Sequence, residues 1–100
     1  MYKNTILLQI WEESNESGEV KTDGCSLHID HKSRDSYVDE IYKSIDKDNL
    51  PNSYDRIVGL PTEVSVTDDI FKVVKKEKSV RLRPNEMNNL LLMNEIILND

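Results

Sequence analysis

Apolar residues change period several times along this chain, and each change marks an element. Ile6, Leu8 and Ile10 alternate with Leu7, Gln9 and Trp11. That spacing predicts a strand over about residues 4–12 with apolar groups on both faces, as a central strand requires. The stretch Glu12–Glu19 is polar and reads as an acidic loop. Cys25, Leu27 and Ile29 then alternate with Ser26, His28 and Asp30, predicting a second strand over about 24–31 with one apolar face. The two strands are expected to pair antiparallel through the acidic loop.

Tyr37, Val38, Ile41, Tyr42 and Ile45 switch to helical spacing. Ser33 or Asp35 is the expected N-cap, with Asp39 and Glu40 placed where the helix dipole favours negative charge. Asp46–Asp55 reads as a loop, and Gly59 and Pro61 break the short apolar run that follows. Val64 and Val66 predict a short strand. Thr67-Asp68-Asp69 opens a second helix, with Lys75, Lys76 and Lys78 in its last turn. Val80 and Leu82 predict another strand, and Pro84 fits the first position of a third helix carrying Met87, Leu90 and Leu91. Ile96–Leu98, after a break at Asn94, reads as a terminal strand. The expected fold is therefore α+β, one domain over residues 1–100, in the order β-β-α-β-α-β-α-β: three helices on a mixed sheet of four to five short strands.

Composition narrows the class. Of 100 residues, 37% are apolar and 32% charged, which fits one modest core. The absence of alanine and the abundance of Asn, Asp, Lys, Ile and Ser resemble the output of an AT-rich genome such as that of a low-GC bacterium or its phage. Cys25 is the only cysteine, so no intrachain disulfide forms and a four-cysteine zinc site is excluded. The apolar runs are far too short to span a bilayer, and a cytoplasmic location is the expectation. Asn15-Glu16-Ser17 matches a glycosylation sequon, which matters only in a secreted protein.

Charge is sorted along the chain. Residues 1–71 carry 7 Lys/Arg against 15 Asp/Glu, residues 72–83 carry 6 against Glu77 alone, and residues 84–100 add three acids, for a net −6. Such a two-signed molecule suits binding by charge complementarity. One candidate surface is acidic: Glu12, Glu13, Glu16 and Glu19 in the first loop, with Asp35, Asp39 and Glu40 at the first helix. It predicts a partner protein with a basic surface, and by analogy of size, charge and codon bias a phage or mobile-element inhibitor of a host nucleic-acid-handling or defence protein. Tyr2, Trp11 and Tyr54 are the expected interface anchors. The alternative is an anion or nucleotide site at Arg81 and Arg83, widened by Lys75, Lys76 and Lys78, since guanidinium forks beside a helix N-terminus match phosphate.

The segment Cys25–His31 gathers the cysteine and both histidines. His28 and Asp30 share a strand face and are weak metal-ligand candidates for a metal-dependent enzyme. The plainer expectation puts Cys25 in the core, His28 and Asp30 toward solvent, and His31 at the strand end. No residue set points to catalysis, no cofactor is implied, and direct duplex-DNA binding is disfavoured by the net charge. A non-enzymatic binding protein is the expectation.

Overall fold

A computed structural model describes residues 4–98. The order of elements is the one that periodicity predicts: β1 (Asn4–Asn15), β2 (Val20–His28), α1 (His31–Lys43), β3 (Ser53–Val66), α2 (Asp68–Glu77), β4 (Ser79–Leu82), α3 (Pro84–Leu92) and β5 (Ile96–Leu98). They form an α+β fold around one five-stranded sheet in the order β4-β2-β1-β3-β5, with β1 central. Every strand pair is antiparallel, where a mixed sheet was expected. No helix among the described residues is long and apolar enough to cross a membrane. The molecule is elongated, with extents of 47 × 26 × 21 Å.

The acidic loop is much shorter than its polarity suggested. Glu12 to Asn15 continue β1, because β2 and β3 pair with this segment on both sides. Backbone pairing to two neighbours outweighs the weak strand propensity of Glu and Asn. The turn closes on Asn15, whose side-chain oxygen accepts from the backbone N–H groups of Ser17 and Glu19, each at 3.0 Å.

Nor do Gly59 and Pro61 end a strand. Leu8 pairs with Thr62 and Ile10 with Val58, so Gly59 to Pro61 form a bulge inside one long β3. Gly59 supplies the positive φ of 67°, and proline without its N–H sits where no ladder bond is needed. Gln9 stitches the bulge, its amide donating to the carbonyls of Val58 at 3.2 Å and Gly59 at 3.1 Å.

α1 begins earlier than expected. Asp30 is its cap, with Oδ1 accepting the Ser33 N–H at 2.8 Å. Asp39 and Glu40 therefore lie beyond the first turn, and the dipole does not explain them. α2 starts after Thr67 with Asp68 and Asp69 in its first turn, as predicted. Pro84 opens α3, where the Glu86 carboxylate accepts the Arg83 N–H at 3.0 Å. Asn94, at φ 56°, turns the chain into β5.

The sheet has two unlike faces. On the first, Ile6, Leu8, Cys25, Leu27, Val64 and Val66 pack with Val74 of α2, and α3 adds Met87, Leu90 and Leu91. This is an ordinary aliphatic core, and burial raises the Cys25 thiol to about 12, so it is inert at neutral pH. α1 covers the second face, where the strands bury Gln9, Trp11, Ser26 and His28. Gly24, at φ 77°, lies between the faces. A Cβ there would strike the Leu82 carbonyl oxygen, so only glycine lets β2 approach β4 this closely.

Candidate functional site

Strand alternation builds the second face. Gln9 lies opposite Ser26, Ser26 opposite Arg81, and His28 opposite Ser79, so all project toward α1. The hydrogen bonds among them run in one direction. Trp11 Nε1 donates to Ser26 Oγ at 2.7 Å, and Ser26 Oγ lies 2.6 Å from His28 Nε2. His28 Nδ1 lies 2.7 Å from Ser79 Oγ, whose hydroxyl donates to the Ser33 carbonyl at 3.3 Å. That donor–acceptor pattern assigns a neutral imidazole with its proton on Nδ1. A second proton on Nε2 would force Ser26 to turn its own hydroxyl away. α1 is tied to the sheet a second time by Arg34, which donates to Gln9 Oε1 from Nε at 3.0 Å and Nη2 at 2.8 Å.

Burial, reinforced by the nearby Arg34 charge, lowers His28 from 6.5 to about 4. The expectation that His28 faces solvent is thus overturned, because α1 covers the strand face assigned to water. Asp30 is exposed but caps α1. The two do not converge on a metal, since both ring nitrogens of His28 are engaged by serine hydroxyls. Cys25 lies in the core, as expected.

Toward the open end of the sheet lies an ionic cluster. Arg81 stacks over the Trp11 ring at 4.8 Å and reaches Asp23 at 3.1 Å and Asp55 at 3.3 Å. Arg83 reaches Asp23 at 3.2 Å. Asp23 is held below the usual carboxylate range by its hydrogen bond with Asp55 and by both arginines. Asp55 is raised to about 6 by burial and by the same carboxyl–carboxyl bond. Glu13, Asp23 and Asp55 bring carboxylate oxygens within 4.8 Å of one another, a spacing that suits a cation. Here guanidinium groups supply the positive charge.

The residues proposed for an anion site do not gather. The Arg81 side chain, 14% exposed, is committed to two carboxylates on the α1 face. Lys75 and Lys76 ride on α2, which packs on the opposite face, and Lys78 follows at its C-cap. The acidic candidates divide. Glu12 pairs with Arg56 at 2.8 Å and Asp35 with Arg34 at 3.0 Å. Glu13 joins the inner cluster, while Glu16, Glu19, Asp39 and Glu40 remain exposed. Of the expected anchors, Trp11 is wholly buried, an internal pillar rather than a contact residue. Tyr54 is half-buried, and Tyr2 lies outside the described residues. Tyr37 packs edge-on to Trp11 at 6.0 Å, as its place on the apolar stripe predicted.

Sequence reasoning missed Gln9, Asp23, Ser26, Arg34 and Asp55. A signal existed for Gln9 and Ser26 in three same-face pairs that carry hydrogen-bonding groups. Gln9/Trp11, Ser26/His28 and Ser79/Arg81 each recur at period two, so each pair shares a strand face.

The titrations have a measurable consequence. Stability from neutral His28 is complete above pH 6.5 and is lost as pH falls toward 4. Asp55 has the opposite sign: its bound proton stabilises the fold at low pH, and that contribution is lost as pH rises through about 6. The wild-type unfolding free energy should therefore change little across this window. Asp55→Asn removes the compensation, so its urea-unfolding free energy should fall by roughly 2–3 kcal/mol from pH 6.5 to 4. A flat profile for that variant would show that His28 is not held neutral.

No family model, curated protein or solved structure matches this chain.

Proposed function

We propose that this protein is a non-enzymatic binding module that engages a basic protein surface, of the kind that handles nucleic acid, through the carboxylates of the first hairpin and α1. The observation that carries the reading is that Glu16, Glu19, Asp39 and Glu40 stand exposed with no ion pair among the described residues. α1 exposes Asp39 and Glu40 along with Lys32 and Lys43, and α2 on the opposite face exposes Asp68, Asp69 and Glu77 along with Lys72, Lys75 and Lys76, so each helix carries both signs. The hairpin turn adds Glu16 and Glu19. It lies against the loop that follows α1, where the Glu16 N–H donates to the Asn52 carbonyl at 3.1 Å. Carboxylates not held in ion pairs of their own along one side of an elongated body can meet a basic groove on a partner. The polar interior supports the same reading. Ser26 and His28 are sealed beneath α1 and hold a helix in place, instead of meeting a substrate.

The test is affinity capture from a low-GC bacterial lysate with two baits: wild type and the variant Glu16→Gln/Glu19→Gln/Asp39→Asn/Glu40→Gln. A basic protein should be retained by wild type at low ionic strength. It should be released when about 0.5 M salt shortens the screening length to a few ångströms, and the neutralised bait should bind it at least tenfold more weakly. Equal retention by both baits, or no basic protein on either, would reject the proposal.

A further inference from the structure

Where the end of α1 meets β3, Tyr42, Ile45, Lys47, Tyr54, Asp55 and Arg56 line a cleft of about 340 Å3. We propose that this cleft binds a planar aromatic ring carrying an anionic group, a ligand of nucleoside monophosphate size.

The volume lies at the small end of the range for ligand pockets, enough for one ring system and one charged group. The walls are aromatic and aliphatic, and one is already fixed. The Tyr42 hydroxyl accepts the Ile57 N–H at 3.0 Å, while its ring meets Trp11 edge-on at 6.3 Å and 79°. A wall pinned at both its polar tip and its ring loses little freedom when a ligand stacks on it. Tyr54 offers a second π-face, and stacking on such rings is favourable for any base. Two cations complete the lining. Lys47 is exposed, and Arg56 is aimed by its 2.8 Å bond to Glu12 while half of its side chain stays in solvent. The single lining acid, Asp55, is paired with Arg81 as Arg56 is with Glu12, which leaves Lys47 as the lining charge with no ion pair among the described residues.

A larger cleft of about 530 Å3 between α1 and the end of α2 lacks this combination. Asp30, Lys32, Glu40, Glu77 and Lys78 bring both signs to its lining, in which Tyr37 is the one aromatic residue. The proposed site is also separate from Arg83 and the α2 lysines, so it makes a different prediction from an anion patch there. It does not depend on the acidic partner surface.

The experiment is a titration of isotope-labelled full-length protein followed by amide NMR, using AMP, GMP, CMP and UMP as probes, with adenosine and inorganic phosphate as separate arms. At least one nucleotide should shift the resonances of Tyr42, Ile45 and Tyr54 saturably. Adenosine should bind more weakly than AMP, and inorganic phosphate should leave the cleft resonances in place. Tyr54→Ala should weaken nucleotide binding about tenfold. Lys47→Ala, a change on an exposed loop, should reduce the preference for nucleotide over nucleoside severalfold, with Arg56 supplying what remains. The proposal is overturned if no nucleotide moves the cleft resonances at about 10 mM, a concentration above any useful affinity. It is also overturned if phosphate alone reproduces the shifts, or if both variants bind like wild type.

Discussion

Trp11→Ala is expected to lower the unfolding free energy by about 3–5 kcal/mol, measured by urea denaturation at pH 7. The indole is wholly buried under α1 between the rings of Tyr37 and Tyr42, and it supports the Arg81 guanidinium. Truncation removes one of the largest side chains in the molecule and leaves a cavity that the pinned tyrosines cannot fill. It also strips Ser26 of the donor that sets the direction of the hydrogen-bond chain through His28. Trp11→Phe separates the two effects: it retains most of the ring but not the N–H, and should cost about 1–2 kcal/mol. A loss below about 1 kcal/mol for the alanine variant would show that α1 does not close over this residue.

Arg81→Met should cost about 2–4 kcal/mol at pH 7. Removing one partner of an interior ion pair strands the others, and Asp23 and Asp55 would then face each other without a shared cation. The figure falls toward the lower end because the two carboxylates keep 15% and 23% of their side-chain surface in water. Two features separate this from a simple packing defect. The deficit relative to wild type should shrink as pH falls from neutrality toward about 6, because Asp55 without Arg81 takes up its proton earlier than in wild type and then no longer repels Asp23. Adding Asp23→Asn and Asp55→Asn should restore most of the lost stability, since an amide pair needs no counter-ion. A pH-independent deficit that the asparagines fail to repair would exclude the electrostatic explanation.

Element order was legible because period and capping are local. Alternation marked β1, β2 and β4, helical spacing marked α1, and Thr67, Pro84 and Asn94 marked where helices begin or end. What misled was polarity. Glu12 to Asn15 look like loop residues yet form strand, because two neighbours pair with their backbone. Gly59 and Pro61 look like a strand break yet make a bulge, because β1 holds both sides and Gln9 satisfies the exposed carbonyls. His28 looked solvated because an alternating strand normally has one wet face. Here α1 covers it, and a chain of serine hydroxyls satisfies the ring that α1 buries.

The proposed surfaces divide along the same line. Glu16, Glu19, Asp39 and Glu40 are exposed, where charge by itself tends to place them. Glu12, Glu13 and Arg81 share that polarity, but tertiary neighbours engage their charge, while Asp35 stays exposed and pairs only with its chain neighbour Arg34. The Tyr42–Tyr54 cleft carries no local signature, since it exists only where the end of α1 meets β3.

The amino-acid order alone therefore determined the sequence of helices and strands though not their ends, that the chain is acidic with one basic stretch, and that Cys25 belongs inside. Each of these depends on neighbours a few residues away or on composition. Only the folded arrangement decided the strand order, which charges cancel, and that a histidine and an arginine lie beneath a helix. Those outcomes depend on contacts between segments such as Asp23 and Arg81, 58 residues apart, whose meeting is set by how β2 and β4 register in the sheet.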